Sequence, residues 1–158
     1  MGMYGCWARI TSDELARARA DPGGLTPLLT DDHACDDNRF NGTDKAWHAF
    51  AYLLDRRGLD DEIVYGSEPF EGAADWGYGP PRYLPPVQVA ACAAALAGLT
   101  EESLADGVEV TELAQANLYP SVWDDASEIA WVTHYLPYVQ EYFALAAKEG
   151  DAVVCWIS

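Results

Sequence analysis

Apolar segments near the two ends of the chain constrain its fold more than any other feature of the sequence. Residues 3–10, MYGCWARI, carry the alternating pattern of a strand with one apolar side, and residues 151–157 contain AVVCWI, a continuous apolar run. Such a run is typical of a strand buried on both faces. A lone strand leaves its backbone hydrogen-bonding groups unsatisfied. We therefore expect the two segments to belong to one sheet.

Helices are predicted for most of the chain between these strands. The capping-box pattern Thr11-Ser12-Asp13-Glu14 opens the first helix, which runs to about residue 20. Pro137 lies inside a long apolar pattern and should kink or split that helix, because proline has no N–H to donate and its ring clashes with the preceding turn. The other predicted helices cover residues 44–57, 86–97, 100–104, about 109–117 and 126–148.

The segments 30–43 and 59–86 are predicted as loops, apart from one short strand-like piece, Ile63-Val64-Tyr65. No internal repeat or linker divides the chain, so we expect one domain over residues 1–158.

Acidic residues dominate the charge of the chain. Nine basic residues face 26 acidic ones, which gives a net charge of −17. That charge repels phosphate backbones and anionic membranes, so neither nucleic acid nor a membrane is an expected partner. By default the acids form a solvated surface, and a basic protein partner is the sharper interpretation.

No apolar run reaches the roughly 20 residues of a membrane helix, and no signal peptide is evident. We expect a soluble, cytoplasmic protein. The four cysteines form no CxxC pair, which favours reduced and mostly buried thiols. His33 with its neighbouring aspartates and Cys35 could hold a metal, but the spacing is neither helical nor that of a hairpin. We therefore predict no metal and no cofactor.

The stretch DKAWHAFAYLL at 44–54 is the part of the sequence that most resembles a reaction centre. On a helix, Asp44 and His48 are neighbours that can pair, and Lys45, His48 and Tyr52 share the polar arc. One interpretation places these three on a cleft wall, with His48 as a proton donor or acceptor held by Asp44. The other is that they form only the solvated face of an amphipathic helix.

A second candidate is DWGYGPPRYLPP at 75–86, where Arg82 has Trp76, Tyr78 and Tyr83 near it in sequence. A guanidinium stacked on aromatic rings binds carboxylates and phosphates well. The alternative is that Arg82 pairs with an acid and the aromatic residues belong to the core. Neither a GxxxxGK[ST] phosphate loop nor a GxSxG elbow occurs.

Tyr119 and Trp123 lie at a predicted turn. This turn is either a packed corner between helices or part of a site. If a site exists, His48 and Arg82 should face one cavity. The candidate ligand-binding residues are Asp44, Lys45, His48, Tyr52, Tyr78, Arg82, Tyr83, Tyr119 and Trp123.

Four phrases together resemble one family: MGMYG at the start, DKAWHAFAYLL, GYGPPRYLPP at 77–86 and NLYPSVW at 117–123. With the closing YFALAAKEGDAVVCWI, the chain resembles the YfbM-like family, a bacterial domain of unknown function, over essentially its whole length. The resemblance implies an α+β single domain, mostly helical, with a small sheet. It implies no activity or cofactor. One departure is Leu84-Pro85-Pro86, where the family tends to show a Thr-Pro helix start, so a side-chain cap is missing.

Two functions of different classes remain open. The first is a non-catalytic binding protein, inhibitor- or immunity-like, whose acidic surface meets a basic protein. The second is a site for a small anionic ligand, or an enzyme, that uses a pocket formed by Lys45, His48 and Arg82.

Overall fold

Five strands form one antiparallel sheet in the order β2-β1-β5-β4-β3 in the computed structural model, which describes residues 2–30 and 38–158. The strands are β1 (Gly5–Ile10), β2 (Phe40–Asp44), β3 (Glu68–Pro69), β4 (Arg82–Leu84) and β5 (Ala152–Ile157). The first and last strands are central neighbours, with Gly5 opposite Ile157 and Ile10 opposite Ala152. The prediction that the two ends of the chain share a sheet is confirmed.

The helices are mostly short. They are α1 (Ser12–Ala20), α2 (Leu25–Thr30), α3 (Trp47–Arg56), α4 (Glu62–Tyr65), α5 (Pro86–Ala97), α6 (Glu101–Ala105), α7 (Val110–Gln115), α8 (Ser127–Thr133) and α9 (Leu136–Glu149). Thr11 caps α1 in the predicted capping box, and α5 begins without a side-chain cap at Pro85, as the missing threonine indicates. The α+β class, mostly helical with a small sheet, is as predicted. Among the described helices, none combines the length and the apolar character that a bilayer crossing requires.

Both faces of the sheet are covered, which explains the unbroken apolar run of β5. Trp7, Val153 and Cys155 pack into a large core with α3, α5 and α9. Ala8 and Val154 point to the opposite face, into a smaller core with α1 and α2. Successive residues of a strand alternate between faces, so a strand between two cores must be apolar at every position.

Pro137 separates two helices, as predicted. The chain leaves α8 at Thr133 and resumes as α9 at Leu136, so that Pro137 falls in the first turn of the new helix. A proline is tolerated there because the first-turn N–H groups have no partner within the helix.

Two segments differ from their sequence-based predictions. Ile63-Val64-Tyr65 was expected as strand-like but lies in α4, where Ile63 and Val64 are both buried and the Ile63 carbonyl accepts a hydrogen bond from the Trp7 indole at 2.9 Å. Two adjacent buried side chains suit a helical turn against one core better than an alternating strand. Residues 40–43, predicted as loop, form most of β2, because pairing with β1 satisfies their backbone groups.

The predicted helix 44–57 begins three residues late, at Trp47. Asp44 is the last residue of β2 and has a left-handed backbone with φ of 48°. It therefore neither joins the first turn of α3 nor sits four helical positions before His48.

Candidate functional site

A cavity of about 190 Å³ opens beside the polar face of α3. We call it the His48 cavity. It is lined by His48, Ala51, Tyr52, Asp55, Asp61, Tyr65 and Leu118. His48 and Tyr52 lie four residues apart on α3, so both fall on the side of the helix that lines this cavity. A larger cavity of about 470 Å³ lies between α1 and β3 and contains Tyr83 from the predicted set.

His48 is held as a hydrogen-bond acceptor. Its Nδ1 accepts the backbone N–H of Tyr119 at 3.0 Å, and its ring stacks on Trp47 with centroids 5.0 Å apart. An Nδ1 that accepts must be unprotonated, so a neutral ring carries its proton on Nε2. Burial lowers the pKa of His48 below the ordinary 6.5, because desolvation disfavours the imidazolium.

The structure does not pair His48 with Asp44, as one interpretation of the sequence required. Among the described residues, no hydrogen bond or ion pair joins the two side chains, and the carboxylate lies in β2 rather than on α3. The shift in the pKa of His48 comes from burial rather than from an aspartate charge.

Tyr119 connects three of the sequence motifs. Its hydroxyl accepts the Met3 backbone N–H at 2.9 Å, and its ring stacks on Trp47 with centroids 5.9 Å apart. The Trp47 indole donates to the Met3 carbonyl at 3.2 Å. These bonds tie the N-terminal segment, the start of α3 and the corner before α8 into one unit.

Lys45 points away from the His48 cavity and toward the N-terminal segment. Its Nζ lies 5.8 Å from the centroid of the Tyr4 ring, a cation–π distance. It does not line the cavity that holds His48.

Arg82 fastens β4 to the segment that leads into β3. Its Nε donates to the Gly66 carbonyl at 3.2 Å and its Nη2 to the Ser67 carbonyl at 2.9 Å. It is not part of the His48 cavity. The structure therefore does not bring Lys45, His48 and Arg82 together in one pocket.

The aromatic residues near Arg82 in sequence are separated in space. Tyr83 is buried against Phe70, Trp76 packs on Trp156, and Tyr78 is 58% exposed. Trp123 is buried and donates from its indole to the Leu118 carbonyl at 2.8 Å, so the turn after Tyr119 is a packed corner.

Sequence reasoning missed most of the cavity, since only His48 and Tyr52 of its seven lining residues were in the predicted set. Asp61 and Tyr65 come from α4, which the strand-like composition of 63–65 concealed. Asp55 could have been found, because it shares the polar arc of α3. Glu112 was missed too, although it accepts hydrogen bonds from the Tyr52 hydroxyl and from Arg56 Nε, both at 2.7 Å.

Burial and neighbouring carboxylates set the protonation of the cavity. The pKa of Asp61 is raised, first by burial, then by the hydrogen bond and the charge of Asp60, and then by the charge of Asp55. Burial, with a smaller effect from Asp61, raises the pKa of Tyr65 to about 12. The hydrogen bond to Glu112 is the main cause that raises the pKa of Tyr52. At neutral pH the lining thus offers a neutral imidazole and two protonated phenols, beside the acidic side chains of Asp55 and Asp61.

The described thiols fit the sequence-based expectation. Cys92 and Cys155 are buried free thiols and Cys6 is a half-buried one, and burial raises the pKa of each. The segment around His33 and Cys35 lies outside the described residues.

Comparison with known proteins supports the family resemblance. No curated protein matches the chain. Among solved structures, the chain is similar to YfbM from Escherichia coli, a protein of unknown function, at 16% identity and a TM-score of 0.75, over 98% of this chain and 99% of that one. At this identity the similarity shows the fold. A family model described as domain of unknown function (DUF1877) matches residues 1–156. The chain therefore belongs to this YfbM-like family, DUF1877.

Proposed function

We propose that the protein is a non-catalytic binding protein that uses its acidic surface to bind a basic protein, in the manner of an inhibitor or immunity protein. The proposal places it in the cytoplasm, since its cysteines do not show the spacing of a disulfide framework. It involves no cofactor, nucleic acid or membrane.

The observation that carries the proposal is that most basic side chains are bound within the fold, whereas few of the described acidic side chains form ion pairs. Five of the nine basic residues are bound within the fold. They are Arg9 with Asp151, Arg39 with Glu14, Arg56 with Glu112, Arg57 with the Asp106 carbonyl, and Arg82 with the Gly66 and Ser67 carbonyls. Within the described ranges, these three carboxylates are the ones that pair with a basic side chain. The other described acids form no ion pair with a basic side chain, and most of them are exposed.

A surface of this kind attracts cationic partners over long range. Complementary charge raises association rates and repels anionic competitors. The geometry of the motif residues favours binding over catalysis, because His48 and Arg82 are occupied by backbone groups rather than aimed at a common ligand. The anion-site alternative needed Lys45, His48 and Arg82 in one pocket, and their observed positions argue against it.

The test is to isolate the native protein from its own cells at low salt and to identify what accompanies it by mass spectrometry. We expect one protein with a basic isoelectric point, at a fixed stoichiometry measured by light scattering. A stoichiometric small anion, or an acidic partner, would overturn the proposal.

A further inference from the structure

The His48 cavity has the size and the walls of a site for a single side-chain group. Its volume of about 190 Å³ is below the range of about 300–1,000 Å³ typical of drug-sized ligands. Tyr52 and Tyr65 supply aromatic rings from two helices, and Leu118 adds an apolar surface. Aromatic rings attract cations through their negative faces.

The charges around the cavity also favour a cation. Asp55 and Asp61 line it, and Asp60 acts on Asp61 from beside it. No lysine or arginine is among the lining residues. The nearby Arg56 is engaged by Glu112 and by the Gly107 carbonyl, so it does not neutralise these carboxylates directly.

His48 does not oppose a cation. Because its Nδ1 accepts from Tyr119 and burial keeps it neutral, it adds no positive charge at neutral pH. The cavity thus combines aromatic rings, acidic side chains and a neutral imidazole.

We propose that the His48 cavity binds an ammonium or guanidinium group, which under the proposed function is a lysine or arginine side chain of the basic partner. The inference rests on that function for the source of the cation. The same chemistry could also come from a free amine.

The test is an NMR titration of the full chain that follows the backbone amides of Ala51 and Tyr65. One arm uses a tetra-arginine peptide, a second its neutral tetra-citrulline counterpart, and a third free agmatine. We expect saturable shifts with the tetra-arginine peptide and none with the citrulline peptide, because only a charged guanidinium forms charge-assisted bonds.

Two double variants distinguish peptide binding in the cavity from attraction by the overall negative charge of the protein. The double variant Asp55→Asn with Asp61→Asn removes the two acidic side chains that line the cavity. Asp13→Asn with Asp21→Asn removes the same charge at α1, on the other face of the sheet. We expect about a tenfold loss of peptide affinity in the first and less than about a twofold loss in the second.

Equal losses in the two variants would overturn the cavity proposal and leave the acidic-surface function standing. Binding of the citrulline peptide would overturn the cavity proposal alone. The same holds if an isolated basic partner binds without shifting the amide signals of Ala51 and Tyr65. Saturable agmatine binding at the cavity without any protein partner would support the cation site, assign the free amine as its source, and overturn the proposed function.

Discussion

At the scale of single residues, hydrogen bonds to the backbone account for the two side chains that most suggested chemistry. His48 accepts from the Tyr119 N–H, and Arg82 donates to the Gly66 and Ser67 carbonyls. Both bonds join segments distant in sequence. The two residues therefore act on the stability of the fold, and their replacement should be visible in unfolding measurements.

Replacing His48 by alanine leaves the partly buried Tyr119 N–H without its acceptor and removes the stack on Trp47. An unsatisfied buried donor costs about 1–3 kcal/mol. We expect His48→Ala to lower the free energy of unfolding in urea by that amount. His134→Ala, at an exposed histidine, is the control and should change it by less than about 0.5 kcal/mol. Equal effects of the two variants would contradict the role given to His48.

The effect of His48→Ala on the free energy of unfolding should also depend on pH. Burial lowers the folded-state pKa of His48 below its unfolded value of 6.5, so the unfolded chain binds more protons as the pH falls through that range. The stability contributed by the neutral ring is thus complete above 6.5 and is lost below it. The gap in unfolding free energy between wild type and His48→Ala should narrow from about pH 7.5 to about pH 5. A gap that widens would mean a stabilised imidazolium.

Arg82→Ala should lower the free energy of unfolding by about 1–3 kcal/mol, because two partly buried carbonyls lose a charged donor. Arg19→Ala on the exposed side of α1 removes the same charge and should have little effect on the free energy of unfolding.

Phosphate or carboxylate anions should not shift the NMR signals of His48, either in the wild-type protein or in Arg82→Ala. An anion response that disappears in Arg82→Ala would restore the anion-site hypothesis.

At the scale of elements, the sequence predicts those segments whose local signals agree with their tertiary contacts. The capping box at Thr11 and the proline at 137 act through their own backbone, so α1 and the break between α8 and α9 were predictable. The composition of β2, Phe40–Asp44, has no strand pattern, and the strand exists because β1 pairs with it. For the same reason Asp44 could not be separated from α3 in advance.

The cavity was only partly predictable because the segments that line it follow different rules. Tyr52 and His48 follow from helical periodicity within α3. Asp61 and Tyr65 depend on how α4 packs, and Ile63-Val64-Tyr65 has the β-branched and aromatic composition of a strand. Long-range contacts that override local preference are not visible in one sequence.

The contact between β1 and α3 gives a prediction for one glycine. A Cβ built on Gly5 would lie 2.4 Å from the Trp47 Cβ, so a strand or a helix must shift. We expect Gly5→Ala to lower the free energy of unfolding by about 1–3 kcal/mol. Gly24→Ala makes the same chemical change at an exposed position with open space and should be nearly neutral. Thermal unfolding of both variants measures the difference, and equal melting temperatures would contradict the close approach.

At the scale of the whole molecule, the charge distribution is the feature that the fold leaves without an internal explanation. The net charge is −17, and among the described residues three carboxylates pair with basic side chains. Self-repulsion of this size lowers stability unless a partner compensates it. Under the proposed function, a basic protein that covers the acidic surface would supply that compensation.

The central claim, that this acidic surface binds a basic protein, is tested most directly by the association rate constant with the isolated partner. It is measured by stopped flow at about 20 mM and about 200 mM salt. We predict a fall of at least about tenfold over this range, because screening removes electrostatic steering. A rate constant that is the same at both salt concentrations would contradict the claim.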